Sequence, residues 1–311
     1  MLPIFESILP IFLIVLLGVV LKRVPLVDRS VWHGLEEVGY YVLFPALLFL
    51  TLYRADFGGL ELTAISIGVL ATVALTFVLL LASWPIFRRY GVSGAIYSSV
   101  FQTSTRWNGF VALAIADRLF GGPGLALTVL LMALVIIPMN IVNIAMLIWF
   151  ASPERGMSSL FRRTLTNPLI MSSLAGLGLR FLQVEIYPPL EQSIDLVASA
   201  ALGMGMIMVG AGLRIRDTLK PGLTAILPVF FKLLFYPALL TAMCWMLGVR
   251  GESLIILAMC GSVPTAMNGY LLARQMGGDA PLYATIATLQ TAASFFTIPL
   301  VIYVATYIAS G

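Results

Sequence analysis

One arginine stands in the middle of a long apolar run. Arg106 belongs to the polar stretch Gln102-Thr103-Ser104-Thr105-Arg106-Trp107-Asn108-Gly109, which interrupts residues 93–119. A second interruption, Cys260-Gly261-Ser262-Val263-Pro264-Thr265-Ala266-Met267-Asn268-Gly269, falls within residues 252–275. A guanidinium presents a planar fork of donors that binds a carboxylate bidentately. The amides of Asn108 and Asn268 can donate to a carboxylate or accept from backbone N–H groups. Gln102, Thr103, Thr105, Ser262 and Thr265 supply further polar atoms. Pro264 and the glycines Gly109, Gly261 and Gly269 mark where a helix has to break or where backbones approach closely. The chemistry on offer is recognition of a small organic anion.

The elements that carry these residues follow from composition. Of the 311 residues, 60% are apolar and 10% charged, and the mean hydropathy is +1.02. A soluble domain has about 45–50% and about 25%. The chain therefore reads as an all-α polytopic membrane protein. At about 20 residues per crossing, it has room for about ten helices and for no sizeable soluble domain. The ten segments are expected near 4–22, 34–53, 62–84, 93–119, 123–149, 167–183, 195–213, 222–247, 252–275 and 281–308. The first is read as a retained helix, because its charges, Lys22 and Arg23, follow the apolar stretch instead of preceding it.

Loop charges set an orientation. One side collects Lys22, Arg23, Arg29, Arg88, Arg89, Arg155, Arg162, Arg163, Arg214, Arg216, Lys220 and Arg274. The other collects Arg54, Arg118, Arg180 and Arg250. The richer side is expected to be cytoplasmic, with both termini outside. This bias accounts for the pI near 9.2 and leaves no basic stripe for a nucleic acid. Arg106 and Lys232 are the two basic residues left inside segments.

Asn108-Gly109-Phe110 matches Asn268-Gly269-Tyr270 at a separation of 160. Pro10, Gly18 and Lys22 match Pro168, Gly176 and Arg180 at 158, and segments five and ten both carry an Ile-Pro pair. These offsets predict two five-helix repeats of inverted topology, residues 1–150 and 167–311, joined by a cytoplasmic loop at 151–166. Broken helices four and nine then cross at the midplane. Interrupted helices at corresponding places are a signature of secondary transporters. Their half-helix N-termini would bring partial positive charge and free N–H donors to one point.

The sequence resembles the auxin efflux carrier family, including bacterial members proposed as malonate or malate permeases. The resemblance rests on Phe44-Pro45-Ala46-Leu47, the stretch Gln102 to Gly109, Asn167-Pro168, Lys232 with Pro237, and Ser262-Val263-Pro264 with Asn268-Gly269. It implies ten helices in two inverted repeats and a crossover of helices four and nine. Bile acid symporters and sodium/proton antiporters share that arrangement. It further implies a panel of helices moving against a scaffold that is often dimeric, in a bacterial inner membrane. Plant members carry a proline in both crossover helices, whereas here only Pro264 is present.

Each residue also has a plainer role. Arg106 can clamp carbonyls of the broken ninth helix or act as a fixed internal cation. A central arginine costs about 2.5–3.5 kcal/mol on insertion scales, and at about 20 Å along its helix from Val92 it lies too deep to snorkel easily. Asn108 and Asn268 can repair freed backbone groups. Lys232 is expected to snorkel toward the cytoplasmic end. Asn140 and Asn143 share a face and suggest an interhelical hydrogen bond. Glycines 203, 205, 210 and 212 suggest close helix packing. His33 is expected at a solvated helix entrance, and Cys244 and Cys260 are expected to be buried thiols. No catalytic, metal or cofactor pattern is present, so no enzyme is expected. The competing readings are a sodium-coupled symporter of bile-acid type and a non-transporting membrane sensor.

Overall fold

The computed structural model describes residues 2–24, 28–55, 62–151, 168–214 and 222–310. Residues 152–166 of the expected loop, Asn167, Arg216 and Lys220 lie outside these residues, as do the side chains of Arg29, His33 and Asn268. Among the described residues every regular element is helical. Seven helical stretches among the described residues are long and apolar enough to cross a membrane. With no water to satisfy backbone groups in lipid, a helix that bonds internally is the natural outcome of such runs.

In chain order the elements are α1 (Leu2–Arg23), α2 (Arg29–Val38), α3 (Phe44–Arg54), α4 (Leu62–Arg89), α5 (Gly94–Thr105) and α6 (Gly109–Ala151). They continue as α7 (Pro168–Phe181), α8 (Pro188–Gly212), α9 (Leu223–Phe230), α10 (Tyr236–Met246), α11 (Gly251–Ser262), α12 (Asn268–Met276) and α13 (Ala280–Ser310).

Two of these joins are wide π turns, Gly39–Leu43 between α2 and α3 and Phe231–Phe235 between α9 and α10. Each is followed by a residue and then a proline, Phe44-Pro45 and Tyr236-Pro237. Proline has no N–H and crowds the carbonyl one turn earlier. The backbone answers with i to i−5 bonds: Phe44 N–H donates to Gly39 O, and Tyr236 N–H to Phe231 O. Both helices therefore run on through their prolines.

Segments four and five were expected as 93–119 and 123–149, with a loop between them. The stretch Gly109–Ala151, labelled α6, is two helices that meet at Gly121, where φ is 59° and ψ is −147°, so the break falls where it was expected, though without a loop. Only glycine adopts that region at little cost, so the chain leaves the helix at Gly121 and re-enters it at once. α8 starts earlier than the expected 195, because Pro188 and Pro189 open it and its first turns carry the partners of Arg54 described below.

α1 and α3 pack on α8, and α3 also packs on α7. The contacts are backbone to backbone. A Cβ on Gly18 would fall on the carbonyl of Ile207, one on Gly176 on the carbonyl of Phe49, and one on Gly210 on the carbonyl of Val15. The first two contacts are related by a single shift: 18 to 176 is 158, and 49 to 207 is 158. α4, α5, α6, α9, α10, α11 and α13 form the rest of the body, around a core that includes Tyr97, Phe101, Ile115, Leu127, Leu257 and Ile298. The close packing expected at 210 is therefore present, and Gly205 lies against the Phe44 ring, whereas nothing lies near Gly203.

Candidate functional site

The two interruptions are residues 106–108, between α5 and α6, and residues 263–267, between α11 and α12. They touch. Asn108 N–H donates to Pro264 O at 3.0 Å, and Trp107 Nε1 donates to Cys260 O at 2.6 Å. Carbonyls freed at the end of one half-helix are thus satisfied by donors from the other break, as lipid-embedded backbone requires.

Arg106 ends α5 in an extended conformation, φ −60° and ψ 149°. Its residue is 5% exposed. Nε donates to Gln102 Oε1 at 3.3 Å, and Nη1 reaches Asn140 Oδ1 at 3.4 Å. Among the described residues, Nη2 of Arg106 and Nε2 of Gln102 are buried without a hydrogen-bond partner, and no carboxylate pairs with the guanidinium. A buried charge is normally paired, so this site presents donors in want of an acceptor.

The other candidates divide. Thr105 Oγ1 donates to Asn143 Oδ1 at 2.8 Å. Thr103 and Ser262 send their hydroxyls back to their own helices, to Ser99 O at 2.8 Å and Met259 O at 2.7 Å. Asn108 Oδ1 accepts from Val111 N–H at 3.3 Å and so caps α6. Thr265 N–H donates to Gln290 Oε1 at 2.8 Å, and its hydroxyl lies 3.2 Å from Tyr283 OH. The N–H groups of Asn108, Val111 and Thr265 are therefore consumed within the protein and are not free donors as expected. Asn268 opens α12. Gly261 and Gly269 leave no space for a Cβ, against Pro237 Cα at 2.9 Å and the Tyr283 hydroxyl respectively. At Gly109 a Cβ would meet the end of Met132 at 3.2 Å.

Lys232 does not snorkel. It is 0% exposed, because the wide turn Phe231–Phe235 points it into the body. Its ammonium is 3.4 Å from Gly261 O and lies over the Tyr236 ring, 4.2 Å from the centroid. It serves the negative end of α11, as a cation does at a helix C-terminus.

Gln290 escaped the sequence reading. It is fully buried on α13 and bridges three backbones: Oε1 accepts from Thr265 N–H, and Nε2 donates to Thr103 O at 3.0 Å and Pro228 O at 3.1 Å. Tyr283, which donates to Ala266 O at 2.6 Å, was missed as well. The available signal was an amide alone in an apolar run. Asn140 and Asn143, expected to bond between helices, do so at the first interruption itself.

A cleft of about 570 Å³ opens between α3, α8 and the Asp117–Ala126 part of α6, and none of its lining residues comes from an interruption.

Residues 152–302 match the model of a family described as membrane transport protein. A Methanothermobacter thermautotrophicus protein named "Uncharacterized transporter" is 25% identical, covering 95% of this chain and 96% of its own length. A Rhizobium meliloti protein named "Putative malonate transporter" is 26% identical, covering 87% and 86%. With its apolar helices and these relatives, the chain is a multi-pass membrane transporter, not an enzyme, and over residues 152–302 it is similar to the membrane transport protein family.

Proposed function

We propose that the protein is a secondary transporter of small organic anions, mono- or dicarboxylates of malonate or auxin type, working by alternating access around the two interruptions. The observation that carries this reading is Arg106: a buried guanidinium without a carboxylate, its Nη2 and the neighbouring Gln102 Nε2 both unpartnered among the described residues. A bidentate carboxylate satisfies both donors and supplies the missing charge. Thr105, Asn108, Pro264, Thr265 and Asn268, from the two interruptions and their flanks, complete the proposed binding set. Thr103 and Ser262 support their own helices beside it, and Gly109, Gly261 and Gly269 let the broken pieces meet.

The architecture that fits is ten spans in two inverted five-helix repeats, with broken helices four and nine crossing. The paired contacts Gly18–Ile207 and Gly176–Phe49 support it, since one shift of 158 converts each into the other. α1, α2, α3, α7 and α8 then form the scaffold. The remaining helices form the moving panel, in an inner membrane with both termini outside.

The test is thermal stabilisation of purified protein by a panel of organic acids, with wild type beside Arg106→Ala. A ligand at a hundredfold excess over its dissociation constant contributes about 2.7 kcal/mol. We expect one carboxylate class to raise the melting temperature of wild type only. A shift that survives in Arg106→Ala makes the arginine structural. No shift from any acid overturns the anion reading.

A further inference from the structure

Arg54 and Arg214 are 160 positions apart, the separation that also relates Asn108 to Asn268 and Phe110 to Tyr270. Their bonds differ. Arg54 ends α3 and donates to Glu191 Oε1 at 2.7 Å and Asp195 Oδ1 at 2.5 Å. Both acceptors are on α8, so these pairs stay within the α3–α8 body. In front of Arg54 the 570 Å³ cleft separates that body from α6. Asp117 of α6 lines the same cleft and has no ion pair or hydrogen bond among the described residues.

Arg214 lies just beyond the other end of α8, about 37 Å away for a helix of 25 residues at 1.5 Å each. There the body is fastened. Arg214 Nη2 donates to Tyr270 OH at 2.7 Å, its guanidinium lies 4.3 Å above that ring, and its backbone N–H donates to Thr288 Oγ1 at 3.0 Å. Tyr270 is on α12 and Thr288 on α13. Beside them a Cβ on Gly212 would sit 3.1 Å from Met267 Cγ, in the second interruption. Phe110, the counterpart of Tyr270, stacks instead on Phe44 at 3.9 Å.

We propose that Arg54 and Arg214 are repeat-related latches that close in alternation, a device that rests on the alternating-access reading above. The structure shows the Arg214 end latched and the Arg54 end open. In the opposite state Arg214 leaves Tyr270, the cleft closes, and Arg54 exchanges a carboxylate of α8 for Asp117 of α6. The exchange is cheap: Arg54 is 48% exposed, exposed ion pairs hold weakly, and two acceptors on α8 mean that one can be released without stranding the arginine.

Cysteine accessibility tests this without any substrate. Ser199→Cys reports the cleft and Met267→Cys the latched end. Cys244 and Cys260 are buried, so wild type gives the background. With Arg214→Gln, labelling of Met267→Cys by a water-soluble maleimide should rise about threefold to tenfold, the range of one lost hydrogen bond. Labelling of Ser199→Cys should fall. Tyr270→Phe, which keeps the ring, should act in the same directions more weakly and decides the matter if Arg214→Gln does not fold. Asp117→Asn added to Arg214→Gln should restore labelling at Ser199→Cys. Unchanged rates at both positions, or a rise at both, overturn the latch. If the rates move as expected but no acid binds, the latch stands and the anion reading falls. If acids bind and the rates do not move, the anion reading stands and the latch falls.

Discussion

The two interruptions face one problem, backbone groups set free inside a membrane, and meet it differently. The first has no proline and carries its own cation: Arg106 ends α5, and Asn108 caps α6 within three residues. The second has Pro264 and borrows its partners. Lys232 comes from the wide turn after α9, Gln290 and Tyr283 from α13, and Trp107 from the first interruption. The first also takes Asn140 and Asn143 from α6 and Gln290 at Thr103 O, yet it has donors left over, and the second has none among the described residues. Those left over are Arg106 Nη2 and Gln102 Nε2.

The comparison can be broken at its strongest point by Arg106→Ala. Removing a charged partner from a desolvated pair costs 2–5 kcal/mol or more, so anion affinity should drop by at least about thirtyfold, read by titrating the melting shift. Lys232→Met should leave that shift in place, because Lys232 serves a carbonyl; a shift lost in both variants would make the two interruptions one site.

Gln290→Leu comes next. Three backbone groups lose their partner, and with membrane hydrogen bonds averaging about 0.6 kcal/mol and buried orphans costing more, about 2–3 kcal/mol of stability should go. Chemical denaturation in detergent measures it, and a loss under about 0.5 kcal/mol would deny Gln290 its bridging role.

The glycines sharpen the contrast. Gly261→Ala drives a Cβ against Pro237 backbone and should cost about 1–3 kcal/mol, whereas Gly109→Ala meets the flexible end of Met132 and should cost less. Equal melting temperatures would show that both breaks yield alike. Smallest of all, Thr103→Val removes a hydroxyl that bonds only its own helix and should stay within about 0.5 kcal/mol, with anion binding intact.

What could be read from the residues follows from what the membrane penalises. Long apolar runs marked the helices, and the polar stretches around Arg106 and Pro264 marked the interruptions. Asn140 and Asn143 showed a shared face through their spacing of three, though not which break it faced. Lys232 was misjudged because its direction depends on a π turn: counted along an ordinary helix it sits near the end, where a lysine usually reaches for water. Gln290 was invisible for another reason. One amide in an apolar run looks the same whatever it bonds, and its three partners come from residues up to 187 positions away. The break at Gly121 was legible, because Gly121-Gly122-Pro123 interrupts the apolar run between the fourth and fifth segments.

The two wide turns each hold one residue more than an α-turn, and that surplus rotates everything downstream by about 100°. α2 with α3 is therefore a single rod whose two lengths are out of phase, and so is α9 with α10. Such a rod can bury one stripe before the turn and a different stripe after it, so its sequence shows no continuous apolar face. Deleting one residue within Gly39–Leu43 would bring the two lengths into phase and swing the Phe44 ring out from under Phe110, uncoupling the body formed by α3 and α8 from the helix that begins at the first interruption.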